Sequence, residues 1–434
     1  QFLGSRLRNG AQPLVPLGGP LFSVTRGREG ETGVDFGGGA FKAAFDTALG
    51  RLSATTSYTD WELNPFTNRL ILPPTLDSSV VQAQRTWNEE IQLTSNRQSA
   101  LAWTAGAWFS DAHTTGHVQR EIPDLFPIEV SQHQANARTL ALFGEAVVFA
   151  AGDWQVTAGA RAEQVKKDFD RSQTVPGPGR FTAEKTFNAF LPKLAARYAL
   201  SPATSASVSI SAGTKPGGWS AFTGDPTLAP FSAERTIAFE GGLDTSLANR
   251  TVTLAARAFA YAIRDYQIER SFTQSDYIVV NAPRARSLGT ELEATWRPVP
   301  AWTLAATVGL TDVTLREFTD PFTGTNYSGK RAPYTPAYDA NLSATYRDGS
   351  GWFGGAEVSF VGKTYYDESE DPAFAQGERA TVNARLGYEA ARWRVSVYGE
   401  NLTDEGYYSL IIPGVGHAVP GAPRTYGVEA VLKW

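Results

Sequence analysis

The chain closes on RTYGVEAVLKW, Arg424 to Trp434. In this stretch Tyr426, Val428, Ala430, Leu432 and Trp434 fall on one face of an extended segment, and Thr425, Gly427, Glu429, Val431 and Lys433 on the other. The same period of two returns along most of the sequence. Trp393, Val395 and Val397 alternate with Arg394, Ser396 and Tyr398, and Tyr338, Ala340, Leu342, Ala344 and Tyr346 with Asp339, Asn341, Ser343, Thr345 and Arg347. Further upstream, Trp302, Leu304, Ala306, Val308 and Leu310 oppose Thr303, Thr307 and Thr311, while Trp154, Val156, Ala158 and Ala160 oppose Gln155, Thr157, Arg161 and Glu163. This repetition is the strongest constraint on the fold, because every strand must set one whole face against apolar surroundings.

Two features identify those surroundings as lipid. The apolar faces carry Trp or Tyr at their ends, as expected where aromatics sit at the two membrane interfaces. The opposite faces carry Arg, Glu, Asp and Asn at mid-strand, which is costly in a sandwich core and ordinary on the wet inside of a large barrel. No apolar run approaches the roughly 20 residues of a membrane-spanning helix.

The connections alternate in length. Short links are expected near 47–50, 96–100, 150–153, 199–203, 246–250, 298–301, 348–351 and 390–392, and long ones over 62–84, 114–137, 170–185, 215–235, 264–286, 316–336, 367–378 and 404–423. Short turns on one side and long loops on the other are the outer-membrane barrel arrangement, with the long loops outside the cell. The count gives 17 strands from Phe36 to Trp434, or 18 if Pro20 to Glu29 supplies one more. Residues 1–35 are expected to be an extracellular loop or the remnant of an earlier strand, and 36–434 a partial transmembrane β-barrel without a plug domain. A closed barrel has an even strand number, so an odd number of strands is expected to be missing from the front.

Other composition narrows the class. The 434 residues contain no Cys and no Met, which excludes disulfides and thiol chemistry and makes Gln1 a processing site, a boundary or the edge of a fragment. No secretory signal is recognisable at the front. Thirty-nine basic and 44 acidic residues are interspersed, so nothing argues for nucleic acid.

Several motifs carry a resemblance. YGENLTDEGYY (Tyr398 to Tyr408) followed by PGAPRTYGVEAVLKW (Pro420 to Trp434) resembles the closing signature of TonB-dependent outer-membrane receptors. EEIQLTS, TAGARAE, LPKLAARYAL, SAGTKPGGWSAF, ERTIAFEGGLDT, NAPRARSLGTELE and YTPAYDANLSATY resemble family segments in the same order. The family barrel has about 22 strands, five more than the 17 counted. The resemblance implies an all-β, antiparallel transmembrane barrel in the outer membrane of a Gram-negative bacterium. Its implied function is to import a scarce solute, such as a siderophore-iron complex, with energy transmitted by TonB. It implies no cofactor and no catalysis. It also implies that Tyr426, Val428, Ala430, Leu432 and Trp434 form the signal read by the barrel-assembly machinery. The family's plug domain and TonB-engaging box are not recognisable in this sequence. A passive porin-like channel and a barrel anchoring a surface assembly remain alternatives.

Site expectations are few. Trp219, Phe222, Tyr327, Tyr334, Tyr407 and Tyr408 are loop aromatics able to stack on a solute at the rim. His113, His117 and His133 flank one loop and are weak metal candidates, and His417 lies in the last loop; surface histidine is the plainer reading. GGGAF at Gly37 and KPGGW at Lys215 lack the strand-to-helix context of a phosphate loop. The acid pairs Glu89/Glu90 and Glu291/Glu293 read as solvated or Arg-paired lumen carboxylates rather than catalysts.

Overall fold

A computed structural model of the chain describes residues 2–10, 14–23, 30–70, 74–96, 101–271 and 277–433. Its architecture is one antiparallel sheet of 18 strands. The first six are β1 (Phe2–Gly10), β2 (Glu31–Asp46), β3 (Gly50–Leu70), β4 (Leu76–Ser95), β5 (Trp103–Ile122) and β6 (Phe126–Ala151). Then come β7 (Trp154–Val175), β8 (Gly179–Ser201), β9 (Thr204–Lys215), β10 (Glu234–Leu247), β11 (Val252–Ser271) and β12 (Tyr277–Trp296). The last six are β13 (Trp302–Glu317), β14 (Tyr338–Arg347), β15 (Trp352–Val361), β16 (Arg379–Glu389), β17 (Trp393–Glu400) and β18 (Thr425–Leu432). Residue registers join each strand to the next in sequence from β1 to β18, and among the described residues none pairs β1 with β18.

The eighteenth strand is Phe2–Gly10, paired with Glu31 to Gly39 of β2, rather than Pro20 to Glu29. Pro20 to Ser23 form a turn, and Val24 to Glu29 lie outside the described residues.

One face of the sheet meets lipid, and the registers identify it. Ala146, Ala158, Leu194 and Ile210 share a rung across β6 to β9, and Val208, Phe239, Leu243, Leu292, Leu342, Val397 and Val428 lie on the same outward face. Leu194, Val208, Phe239, Leu292, Val397 and Val428 are all exposed. At the short-turn end, Trp154 pairs with Tyr198, Trp302 with Tyr346 and Trp352 with Tyr388, with ring centroids 4.7, 5.1 and 5.4 Å apart. They form the row expected at one membrane interface. Tyr426, Val428, Ala430 and Leu432 continue the outward face on β18, and Trp434 lies outside the described residues.

This assignment predicts that Leu194→Arg destabilises the barrel by about 2–4 kcal/mol, the cost of an arginine near the bilayer midplane. Leu194 stands four residues above the Tyr198 girdle position. Reversible denaturant unfolding in lipid vesicles measures the effect, and an unchanged midpoint would place this face inside.

Strand length departs from expectation. Strands of about 10 residues suffice to cross the membrane, yet β3 to β8 run for 20 to 26 residues. Four stretches expected as long loops, 62–84, 114–137, 170–185 and 264–286, are instead largely strand. The apolar alternation ends at the outer border of the bilayer, but backbone pairing continues because cross-strand charges take over the outward face. Arg85 pairs with Asp60 at 3.0 Å, Arg138 with Asp111 at 3.1 Å, Lys166 with Glu184 at 2.8 Å and Arg180 with Asp170 at 2.6 Å. Loops outside the 18-strand sheet remain at 216–233, 318–337, 362–378 and 401–424, and short strand pairs lie within the first, third and fourth of them.

The NLTD segment acts at the base of the last of these loops. Asn401, at φ 47°, donates to the Glu405 and Ala422 carbonyls at 2.9 and 3.0 Å and accepts from the Glu405 amide. Arg424 pairs with Asp404 at 3.4 Å.

The buried apolar clusters lie in and under these loops rather than along the wall. The larger gathers Ile263, Ile268, Ile278, Ala285, Val313, Leu315, Phe318 and Ala332. The smaller joins Val15, Tyr366, Ile411 and Ala418.

Candidate ligand-binding mouth of the barrel

The inward face is charged from the short-turn end to the rim. Arg257 lies opposite Glu291 in the ladder and pairs with Asp244 at 2.6 Å, Lys193 with Glu145 at 3.3 Å, and Arg385 with Glu429 at 3.1 Å. Glu89 and Glu90 are separated by the pleat. Glu89 is on the outward face, accepting from Thr56 at 2.5 Å and Trp87 at 2.9 Å, so the two carboxylates do not converge.

Above the membrane, β5, β6 and β7 bring Gly116, His133 and Arg171 onto one inward rung. The His133 ring occupies the space a side chain at position 116 would fill, so this rung requires glycine. Phe169, one rung lower, stacks on His133 at 6.3 Å and on Trp219 at 6.0 Å, and Phe222 meets His133 edge-on at 6.1 Å. Beside them is a buried ionic triad. Glu129 accepts from Arg171 and Ser131, each at 2.8 Å, and from Arg120. Arg171 also donates to the Ala221 carbonyl at 3.1 Å, and Lys167 to the Gly217 carbonyl at 2.8 Å. The 216–233 loop is thereby fastened to the inner wall.

Burial, and then the Arg171 charge, lower His133 from 6.5 to about 4. The unfolded or opened form therefore takes up the proton first as pH falls. The contribution is fully present above about 6.5 and is lost towards 4, at most about 3 kcal/mol. Hydrogen exchange over 116–135, corrected for intrinsic rates, is expected to show this rim loosening at pH 5 relative to pH 7.5, and His133→Phe is expected to abolish the difference. An unaltered pH response in the variant would contradict this.

The three candidate metal histidines are divided between faces. His113, bonded to Asn136, and His117 point outward, whereas the His133 ring is inward and buried among aromatics. Among the described residues, no group of three His, Asp or Glu side chains could hold a metal ion. His417 is buried in the last loop, its Nδ1 2.7 Å from the Val415 carbonyl.

The six rim aromatics fall into separate groups. Trp219 and Phe222 share the His133 cluster. Tyr327 stacks on Phe318 at 6.2 Å against the larger apolar cluster. Tyr334, 49% exposed, meets Tyr366 edge-on at 5.5 Å. Tyr407 lies 4.7 Å beneath the Arg379 guanidinium, and Tyr408 packs on the smaller cluster, its hydroxyl accepting from the Gly18 amide at 3.1 Å.

Sequence reading missed a lysine group on the same inner wall. Lys167 and Lys185 lie directly opposite each other on β7 and β8, and Lys215 ends β9 nearby. Burial, and then the Lys215 charge, lower the Lys167 proton affinity. Among the described residues none of the three ammonium groups has a carboxylate within 4.0 Å. Glu234, opposite Lys215 in the ladder, binds the Gln267 amide at 2.9 Å instead. The lysines are spread over 48 residues of sequence, from Lys167 to Lys215, and only the strand register reveals that they converge. Three uncompensated cations beside Phe187 and Trp219 form a mouth suited to an anionic, partly aromatic solute.

Comparison with known proteins agrees with this architecture. The family described as TonB dependent receptor-like β-barrel matches residues 4–402. The pesticin receptor of Yersinia pestis is 26% identical over 372 residues, covering 82% of this chain and 53% of the receptor. The chain thus spans about half the length of the curated relatives it matches. The ferric yersiniabactin uptake receptor FyuA from Yersinia pestis superposes with a TM-score of 0.84 at 22% identity, over 99% of this chain and 67% of that one. The ferric-catecholate import receptor Fiu from Escherichia coli K12 superposes with a TM-score of 0.73 at 14% identity, over 99% and 71%.

Proposed function

Because the chain belongs to the TonB-dependent receptor β-barrel family, we propose that it forms the wall and mouth of an importer for an anionic iron chelate of the siderophore class. It is an outer-membrane β-barrel, and members of its family are transport receptors rather than enzymes. Such receptors bind small solutes such as siderophores and are coupled to TonB.

The observation that carries the ligand class is the inward trio Lys167, Lys185 and Lys215 beside the Trp219 and Phe169 rings. Ferric iron bound by catecholate oxygens forms a chelate with net negative charge and aromatic faces. Cations at the mouth would draw it in, and the rings would hold it. Similarity to receptors whose names specify ferric yersiniabactin and ferric catecholate supports the same class.

Trp219, Phe222, Tyr334 and Tyr407 are the rim aromatics proposed to meet the solute, with Tyr327 and Tyr408 holding the loops beneath. No covalent chemistry is assigned to the protein. Coupling to TonB would pass through a plug belonging to the whole receptor, and Tyr426, Val428, Ala430 and Leu432 would serve assembly into the membrane.

Binding by the whole receptor in detergent tests the reading. An anionic ferric catecholate is expected to bind, and to bind less tightly as salt rises. The cationic ferric desferrioxamine complex is expected to bind far more weakly. Equal binding of the two would overturn the ligand class.

A further inference from the structure

We propose that the outward face of β9 to β13 carries a binding site for the phosphate-bearing headgroup of an outer-leaflet lipid. The site is separate from the mouth, on the opposite face of the wall. Arg235, Arg264 and Arg284 occupy one rung across β10, β11 and β12, and Arg286 lies on the next rung, opposite Ala262. With Arg316 they line a groove of about 1000 Å³ containing five arginines and one carboxylate, Glu317. The same groove exposes Phe190, Ala212, Ile237 and Ala262, so its lower part is apolar.

Height places this groove at the membrane border. Arg286 stands ten residues above Trp296, itself level with the short-turn girdle. At about 3.3 Å per residue and a tilt near 40°, that is roughly 25 Å, the height of the apolar band. The arginines therefore meet lipid headgroups while the residues below them meet acyl chains.

The charge is largely unspent. Arg284 pairs with Glu317 at 3.0 Å, and Arg286 with Asp312 at 3.3 Å while its Nε is buried without a partner. Arg235, Arg264 and Arg316 are exposed and have no ion-pair partner among the described residues. Elsewhere above the band, outward cations are matched by carboxylates, as Arg138 is by Asp111. An uncompensated rung of guanidinium groups fits phosphate oxygens, which accept paired N–H donors.

The test uses the protein purified from outer membranes, stripped of lipid in non-ionic detergent. The probes are bisphosphorylated, acylated glucosamine disaccharide (lipid A), the same lipid after phosphatase treatment, and inorganic phosphate. Titration followed by native mass spectrometry is expected to show saturable lipid A binding, weakened on the order of 20-fold by Arg235→Gln/Arg264→Gln, since each interfacial cation contributes about fivefold. Arg235→Lys/Arg264→Lys is expected to keep most of the affinity, and Arg138→Gln all of it. Heat-modifiable gel mobility checks that each variant is folded.

Four results would overturn the proposal: equal binding by the Gln variant, equal binding of the dephosphorylated lipid, an equal loss in Arg138→Gln, or displacement by millimolar inorganic phosphate. The last would identify a general anion site.

Discussion

Glu129→Ala is expected to reduce hydrogen-exchange protection of the β5–β7 rim by about 100-fold or more, while the membrane-embedded rungs stay protected. The reason is the local charge balance. Glu129 is 6% exposed and is the carboxylate shared by Arg120 and Arg171, themselves 9% and 5% exposed. Removing one member of a buried ionic cluster leaves like charges facing each other out of water, at a cost of about 3–5 kcal/mol. Because Arg171 also holds the Ala221 carbonyl, the effect spreads to the 216–233 loop. The triple change Arg120→Met/Glu129→Leu/Arg171→Met separates charge from packing. It is expected to retain most of the rim's protection, since a well-packed apolar set of similar volume replaces an ionic one at little cost. If Glu129→Ala exchanges like the wild type, the triad is not what fastens this loop.

The second large effect concerns capture. Replacing Lys167, Lys185 and Lys215 together by Gln is expected to weaken binding of an anionic ferric catecholate by about 100-fold and to flatten its salt dependence. At about 8 Å and an effective dielectric near 20, a unit charge pair is worth roughly 2 kcal/mol before screening, and salt removes part of this. Three such interactions, discounted, give the stated loss. Lys167 contributes a structural bond as well, to the Gly217 carbonyl, so the pair Lys185→Gln/Lys215→Gln serves as the cleaner variant. It is expected to show most of the loss without disturbing the loop. Unchanged affinity in that variant would remove the lysines from the account.

Much of the wall is readable from the sequence because lipid contact imposes a pattern. The rung through Ala158, Leu194 and Ile210 and the girdle pairs Trp154–Tyr198 and Trp302–Tyr346 are all written in the period of two. The turns near Gly152, Asn249 and Gly351 follow from the change of pattern and from residues that accept positive φ. The upper hairpins are not readable in this way. There the outward face of β6 passes from Leu140 to Arg138 and Asn136, and a polar residue looks the same in a strand as in a loop. Pairing with Asp111 and Asp168 keeps those residues extended, and that depends on partners more than twenty residues away.

The mouth is legible only in part. Trp219 and Phe222 stand out as loop aromatics, but their contact with Phe169 and His133 depends on how the loop folds back onto the wall. Lys167 and Lys185 are ordinary residues in sequence and become a site only when the β7–β8 register sets them face to face.

The most direct test of the central claim is uptake by cells. Radio-iron presented as an anionic ferric catecholate would be followed in bacteria making the whole receptor, before and after a protonophore dissipates the inner-membrane gradient, with receptor-deficient cells as background. Energised import predicts that surface binding persists while internalisation falls to that background. Internalisation that continues undiminished without the gradient would contradict it and mark the barrel as a passive channel.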